Sequence, residues 1–149
     1  AHARAEEVRE RLARARIVDM PRETAAFLHD LGCTNVGVLA TDGTLAARVY
    51  QDALAEEGLA VVVPPDESQR KVMGIIYDGV KAGKGPEVYG ADMNAVVEAL
   101  GRRGAGYFIL GCTELPLAAE QMGLIAPTVD PTEELAKAAI RFCGYRVRE

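Results

Sequence analysis

A parallel α/β domain is the fold class this sequence predicts, and three observations predict it. Apolar, β-branched runs recur along the chain and stay hydrophobic instead of alternating, as strands buried on both faces do. Amphipathic segments with a 3.6-residue period separate these runs. Strand–helix–strand order then calls for right-handed crossovers, which put helices on both faces of one sheet. The expected architecture is a three-layer α/β/α domain of flavodoxin-like type around a four-stranded parallel sheet, with edge remnants of a second similar domain.

The elements follow in chain order. Residues 1–20 read as one charged helix, with Val8 and Leu12 on its apolar side, and a short strand at Arg16–Asp19. The first core strand is Val36–Ala40, followed by a helix from about Thr44 that buries Val49, Ala53 and Leu54. Ala60–Val63 is the next strand. A helix over Glu67–Ala82 places Val72, Ile75, Ile76 and Val80 on one face. A second, over Gly90–Arg103, does the same with Met93, Val96, Val97 and Leu100. Strands at Gly106–Leu110 and about Leu124–Val129 complete the sheet. Asp130-Pro131-Thr132-Glu133 opens the last helix, with Asp as N-cap and Pro in the first turn. Its apolar side is expected to be Leu135, Ala139 and Phe142. The end segments have too little apolar surface for a core of their own and read as the rim of another domain.

Composition bounds the function. The chain has 149 residues, 49% hydrophobic and 26% charged, values of a single globular domain. A formal charge of -5 argues against a nucleic-acid binder, whose footprint is a basic stripe. No apolar run reaches the length of a membrane span, and no signal-peptide pattern opens the chain. Three cysteines without a C-x-x-C pair read as free thiols in a reducing compartment, so a cytoplasmic location is expected. His2 and His29 are isolated, and no spacing suits a metal site. No phosphate-binding glycine motif appears.

Two loops carry the candidate chemistry. In an open parallel sheet ligands sit beyond the carboxyl ends of the strands, where Thr41-Asp42-Gly43-Thr44 and Gly111-Cys112-Thr113-Glu114 both fall. The first reads either as a plain N-cap and turn or as a cradle for an anion, with Gly43 permitting close approach or a positive φ. Cys112 reads either as a small buried hydrophobe or as a reactive thiol. A helix start beyond Cys112 would lower its pKa, whereas an ionised Glu114 would oppose that or share the thiol proton. Cys33 and Cys143 read as structural. Lys81 and Lys84 read most simply as cations at a helix C-terminus.

Together these pieces resemble the C-terminal half of the aspartate/glutamate racemase family. The resemblance rests on Val36–Thr44 with Tyr50-Gln51, Val63-Pro64-Pro65-Asp66, and Ile75-Ile76-Tyr77 with Lys81 and Gly83. It continues through Gly111–Glu114 with Leu115-Pro116-Leu117, and Asp130-Pro131-Thr132. Glu114, where glutamate racemases usually carry His, points to the aspartate branch. The resemblance implies a cofactor-independent amino-acid racemase acting on aspartate or glutamate, of the isomerase class, without metal. Two cysteines would exchange the α-proton from opposite faces. It implies Cys112 as one acid/base with Glu114 beside it. Thr41, Gly43, Thr44 and Thr113 would hold the substrate α-carboxylate or ammonium, and Lys81 a side-chain carboxylate. Ala1-His2 matches the tail of the family's Cys-Asn-Thr-Ala-His motif, so the first cysteine and the family's arginine have no counterpart. Residues 1–20 are then expected to be a remnant of the N-terminal racemase domain, 21–129 the C-terminal domain, and 130–149 a helix returning to the former. The chain is expected to be a fragment carrying only the second cysteine, and a homodimer. A decarboxylase or isomerase of small carboxylates, and a non-catalytic anion-binding flavodoxin-like module, are the alternative functions.

Overall fold

The computed structural model describes residues 17–147. Its strands are β1 (Asn35–Leu39), β2 (Ala60–Val62), β3 (Tyr107–Leu110) and β4 (Thr128–Val129). All pairings are parallel and the order is β2-β1-β3-β4. The helices are α1 (Met20–Asp30), α2 (Asp42–Ala46), α3 (Val49–Glu56), α4 (Asp66–Gly74), α5 (Pro86–Arg102), α6 (Glu114–Met122) and α7 (Pro131–Phe142). A π-helical turn, Ile75–Val80, continues α4. The expected three-layer α/β class is the observed one.

Strand alternation divides the core in two. Leu39, Phe108 and Leu110 face a cluster built by α4, the π turn, α5 and α6, including Val72, Ile76, Met93 and Leu115. Val36, Val38, Ala40 and Ile109 face the other, with Leu28, Tyr50 and Leu54. Gly37 is small for a reason: a Cβ there would stand 2.7 Å from the Phe108 ring.

Several expectations need correction. Ile17–Asp19 form no strand; Asp19 instead caps α1, accepting from the Arg22 amide at 3.1 Å. The earlier charged helix lies outside the described residues. The helix from Thr44 is two helices, because Arg48 takes a left-handed φ of 55° between them. Val49 is therefore exposed, and Tyr50, Gln51, Ala53 and Leu54 are buried. The helix from Glu67 turns into a π turn at Ile75. The last strand shrinks to Thr128–Val129.

The start of α7 is as expected, with Asp130 accepting from the Thr132 amide at 2.8 Å. Its buried face, however, is Pro131, Glu134 and Ala138. Helix α7 lies against α1. A carboxylate can occupy that face because Lys137 Nζ meets Glu134 Oε1 at 2.8 Å and Glu133 Oε1 at 2.7 Å. These two hydrogen bonds, Glu133 first, hold the Lys137 ammonium above the ordinary lysine pKa. A pKa raised on folding stabilises fully below the unfolded value and fades as pH passes the folded one. Lys137→Met is expected to cost about 1–3 kcal/mol in chemical denaturation at neutral pH, since Glu134 loses its cation. The gap from the parent should narrow as pH climbs past 10.5.

Candidate active site

The sheet order places β1 at the centre, with β2 on one side and β3 on the other. The chain reverses direction across the sheet between β1 and β3, and the loops leaving those strands part at that point. Both candidate loops are the ones concerned. Gly111 N–H donates to the Leu39 carbonyl at 2.7 Å, extending the β1–β3 ladder into the loop. Cys112 follows at once, half-buried and packed against the first core cluster.

Four of the predicted residues meet here. Cys112 Sγ donates to Glu114 Oε2 at 2.8 Å, and Thr113 Oγ1 donates to the same oxygen at 3.1 Å. Lys81 Nζ lies 3.6 Å from Glu114 Oε1. Helix α6 begins at Glu114, and its first turn is tied back by the Leu115 amide bonding the Cys112 carbonyl at 2.9 Å. Lys81 reaches the site from the π turn. Its amide bonds the Ile76 carbonyl at 3.0 Å, five residues back, and its Nζ stands 4.4 Å over the Tyr77 ring. Such inserted turns re-aim side chains and recur at functional sites. Gly79 lets this turn approach α5, because a Cβ there would meet Tyr89 at 2.7 Å.

The electrostatics favour the proton on the thiol. Burial first, and then the hydrogen bond to Glu114, push the Cys112 thiol up; the Glu114 amide and Lys81 pull weakly the other way. Glu114 is held below the ordinary carboxylate value, chiefly by accepting from Cys112. The expected lowering by a helix start is thus outweighed. The pair rests as thiol and carboxylate, with Lys81 balancing the charge.

Thr41 and Thr44 form a unit of their own. Their hydroxyls lie 3.0 Å apart, and Thr41 Oγ1 caps α2 by accepting from the Thr44 amide at 3.3 Å. Gly43 lacks the positive φ considered for it; a Cβ there would meet nothing within 4 Å, so its surface is open. Two glutamines absent from the sequence-based site fasten this loop. Gln69 Nε2 donates to the Ala40 carbonyl at 3.0 Å and to Asp42 Oδ1 at 2.8 Å. Gln51 Nε2 donates to the Leu45 carbonyl at 2.9 Å. The Gln69 contacts span distant positions, and only the Tyr50-Gln51 pair left a trace in the sequence pattern. An open depression of about 450 Å³, lined by Asp42, Gln69, Gly74 and Tyr77 among others, flanks this loop. Cys112 and Glu114 do not line it, so the thiol–carboxylate contact lies outside this depression.

Cys33 and Cys143 are apart from this cluster. Cys33 precedes β1 at the amino edge of the sheet, and Cys143 follows α7. Cys112 follows the carboxyl end of β3, a strand of four residues, so about 13 Å of strand separates the two edges. Among the described residues no cluster of three or more His, Cys, Asp or Glu could hold a metal. No described helix is long and apolar enough to cross a membrane.

A doubly wound α/β domain with a protonated thiol bonded to a carboxylate is a site suited to proton transfer. Comparison with known proteins gives the class a family. A family model described as Asp/Glu/hydantoin racemase matches residues 1–139. The chain belongs to this family. It is 37% identical over 133 residues to an uncharacterized protein in the pnlA 3' region of Pectobacterium carotovorum, covering 87% of this chain and 86% of that one. It is 33% identical over 119 residues to the glutamate racemase of Mycobacterium leprae, covering 74% of this chain and 40% of that enzyme. An aspartate racemase homologue from Pyrococcus horikoshii superposes with a TM-score of 0.73 at 29% identity, covering 84% of this chain and 55% of that one. The chain thus spans nearly the whole Pectobacterium relative but about half or less of the other two.

The electrostatic account predicts how the thiol responds to its partner. Glu114→Gln, made alongside Cys33→Ser and Cys143→Ser, removes the negative charge beside Cys112. Iodoacetamide should then alkylate Cys112 faster at neutral pH than in the Glu114 parent, because more thiolate is present. Equal rates would contradict the shared-proton arrangement.

Proposed function

We propose that this chain supplies one acid/base of a cofactor-independent amino-acid racemase acting on aspartate or glutamate, with aspartate preferred. The observation that carries the reading is the 2.8 Å bond between Cys112 and Glu114. Family membership and the location of that bond at the carboxyl ends of β1 and β3 support it.

In the proposed reaction a base on the far face takes the proton from the substrate α-carbon. The electron pair of the broken C–H bond delocalises into the α-carboxylate. Cys112 then delivers its thiol proton to the near face, forming the new C–H bond and leaving a thiolate. In the reverse direction Cys112 acts as the thiolate, its proton already spent on carbon or passed to Glu114. It takes the near-face α-proton, and the protonated far-face base returns a proton from the other side. Glu114 is therefore a proton store as well as an orienting group. Lys81 serves this store by neutralising it, and it also offers a cation to the substrate side-chain carboxylate. The Thr41 and Thr44 hydroxyls, the open backbone at Gly43 and the Thr113 hydroxyl provide donors for the α-carboxylate. Fixed donors of this kind matter because the carbanion is costly and its charge must be met by groups already in place.

The base on the far face is not among the described residues around Cys112, since Cys33 and Cys143 stand elsewhere. The proposal assigns it to protein beyond this domain; this chain covers 55% of the Pyrococcus horikoshii homologue. The reading also carries a reducing, cytoplasmic setting and assembly as a homodimer.

The test is exchange of the α-proton of aspartate in heavy water, followed by proton NMR. Cys112, as thiolate, can take and return the near-face α-hydrogen without the far-face base. Exchange without inversion is therefore expected of this chain, and Cys112→Ala should slow it at least ~100-fold, the usual scale of a positioned acid/base. Exchange that survives Cys112→Ala, or no exchange with either aspartate or glutamate, would refute the reading.

A further inference from the structure

Tyr50 is a buried ionisable group that the proposed chemistry leaves without a task. It sits on α3 with 3% of its surface exposed. Its ring presses on the backbone just before the candidate thiol. A Cβ added to Gly111 would stand 2.8 Å from Tyr50 Cε2, and 3.2 Å from both Ala40 Cβ and the Leu39 carbonyl oxygen. The alternation of β3 explains the geometry. Phe108 and Leu110 face the first core cluster and Ile109 the second. Gly111 continues toward the second face, and Cys112 returns to the first. The space that a side chain at 111 would take is filled by Tyr50, from the helix packed on that same face.

The charged and titratable groups acting on Cys112 are Glu114 from α6 and Lys81 after the π turn, and Cys112 itself acts on Tyr50 from α3. Asp130, at the start of α7, acts in turn on Tyr50. Burial, then the charges of Asp130 and Cys112, push the Tyr50 phenol up to about 12. It stays neutral at ordinary pH and carries no proton for the reaction.

We infer that Tyr50 is a positioning residue for Cys112, whose ring, rather than its hydroxyl, wedges the Gly111–Cys112 turn and keeps the thiol seated against Glu114. The racemase reading supplies the reason for such a wedge: a proton donor must be held within a fraction of an ångström of its line of transfer. Without the ring the turn relaxes, water reaches the thiol, and the thiolate is better solvated. The thiol then ionises at lower pH.

The test is the pH profile of iodoacetamide alkylation at Cys112, with Cys33→Ser and Cys143→Ser present throughout. Tyr50→Phe should keep the parent midpoint. Tyr50→Ala should move the midpoint to lower pH and raise the neutral-pH rate about threefold or more, in proportion to thiolate. Tyr50→Leu should fall between them, and it reads the same effect if the alanine variant does not fold. Gly111→Ala strains the contact from the other side and should also lower the midpoint. An unmoved midpoint in the folded Ala or Leu variant overturns the inference, even if the plateau rises through easier access. So does a Tyr50→Phe shift as large as that of Tyr50→Ala. Thiol ionisation is read without any substrate. Absence of α-proton exchange would therefore remove the racemase reading and leave a moved midpoint standing as support for the wedge.

Discussion

The hydrogen bond from the Cys112 thiol to Glu114 is the contact on which the rest of the site depends. At 2.8 Å it decides where one proton resides. Burial raises the thiol, accepting the bond lowers the carboxylate, and the two effects act in the same direction. A half-buried carboxylate next to a raised thiol needs a cation, and Lys81 is that cation. The bond also needs a rigid base, since Cys112 and Glu114 are only two residues apart and must leave a strand and enter a helix between them. The amide of Gly111 on Leu39 and that of Leu115 on Cys112 hold the two sides of this short turn.

The fold delivers the other groups by long-range devices. The π turn brings Lys81 round to Glu114 and stacks it on Tyr77. Gln69 ties α4 to the loop after β1, so that the Thr41–Thr44 hydroxyl pair keeps a fixed place beside the sheet. The helix α5 comes close enough to support the π turn only because Gly79 has no side chain. Each device joins one element to another. The site is therefore a product of the whole domain, although its chemistry occupies one tetrapeptide and one lysine.

The parts legible in the sequence were those written in local patterns. Continuous apolar runs marked β1, β2 and β3 to within a residue or so, because double-sided burial leaves no polar alternation. Val72, Ile75, Ile76, Met93, Val96 and Leu100 announced their buried faces by spacing alone. Asp130-Pro131 announced a helix start through capping chemistry. Other features depended on partners far along the chain. Glu134 looked like a surface residue, yet Lys137 and the neighbouring α1 make its burial tolerable. Arg48 breaks a helix without the glycine or proline that would signal a break. The role of Tyr50 rests on a contact with Gly111, far along the chain. The direction of the Cys112 shift was open, because a helix start and a carboxylate compete. Only the burial of Cys112 and its distance to Glu114 decide that competition.

The most direct test of the central contact is the thiolate absorbance of Cys112 near 240 nm, followed against pH with Cys33 and Cys143 replaced by serine. The account predicts a protonated thiol at neutral pH and a midpoint above that of an ordinary cysteine, about 8.5. A thiolate already formed at neutral pH would contradict it. The helix start and Lys81 would then outweigh burial and Glu114, and Cys112 would be a resting base rather than a proton donor.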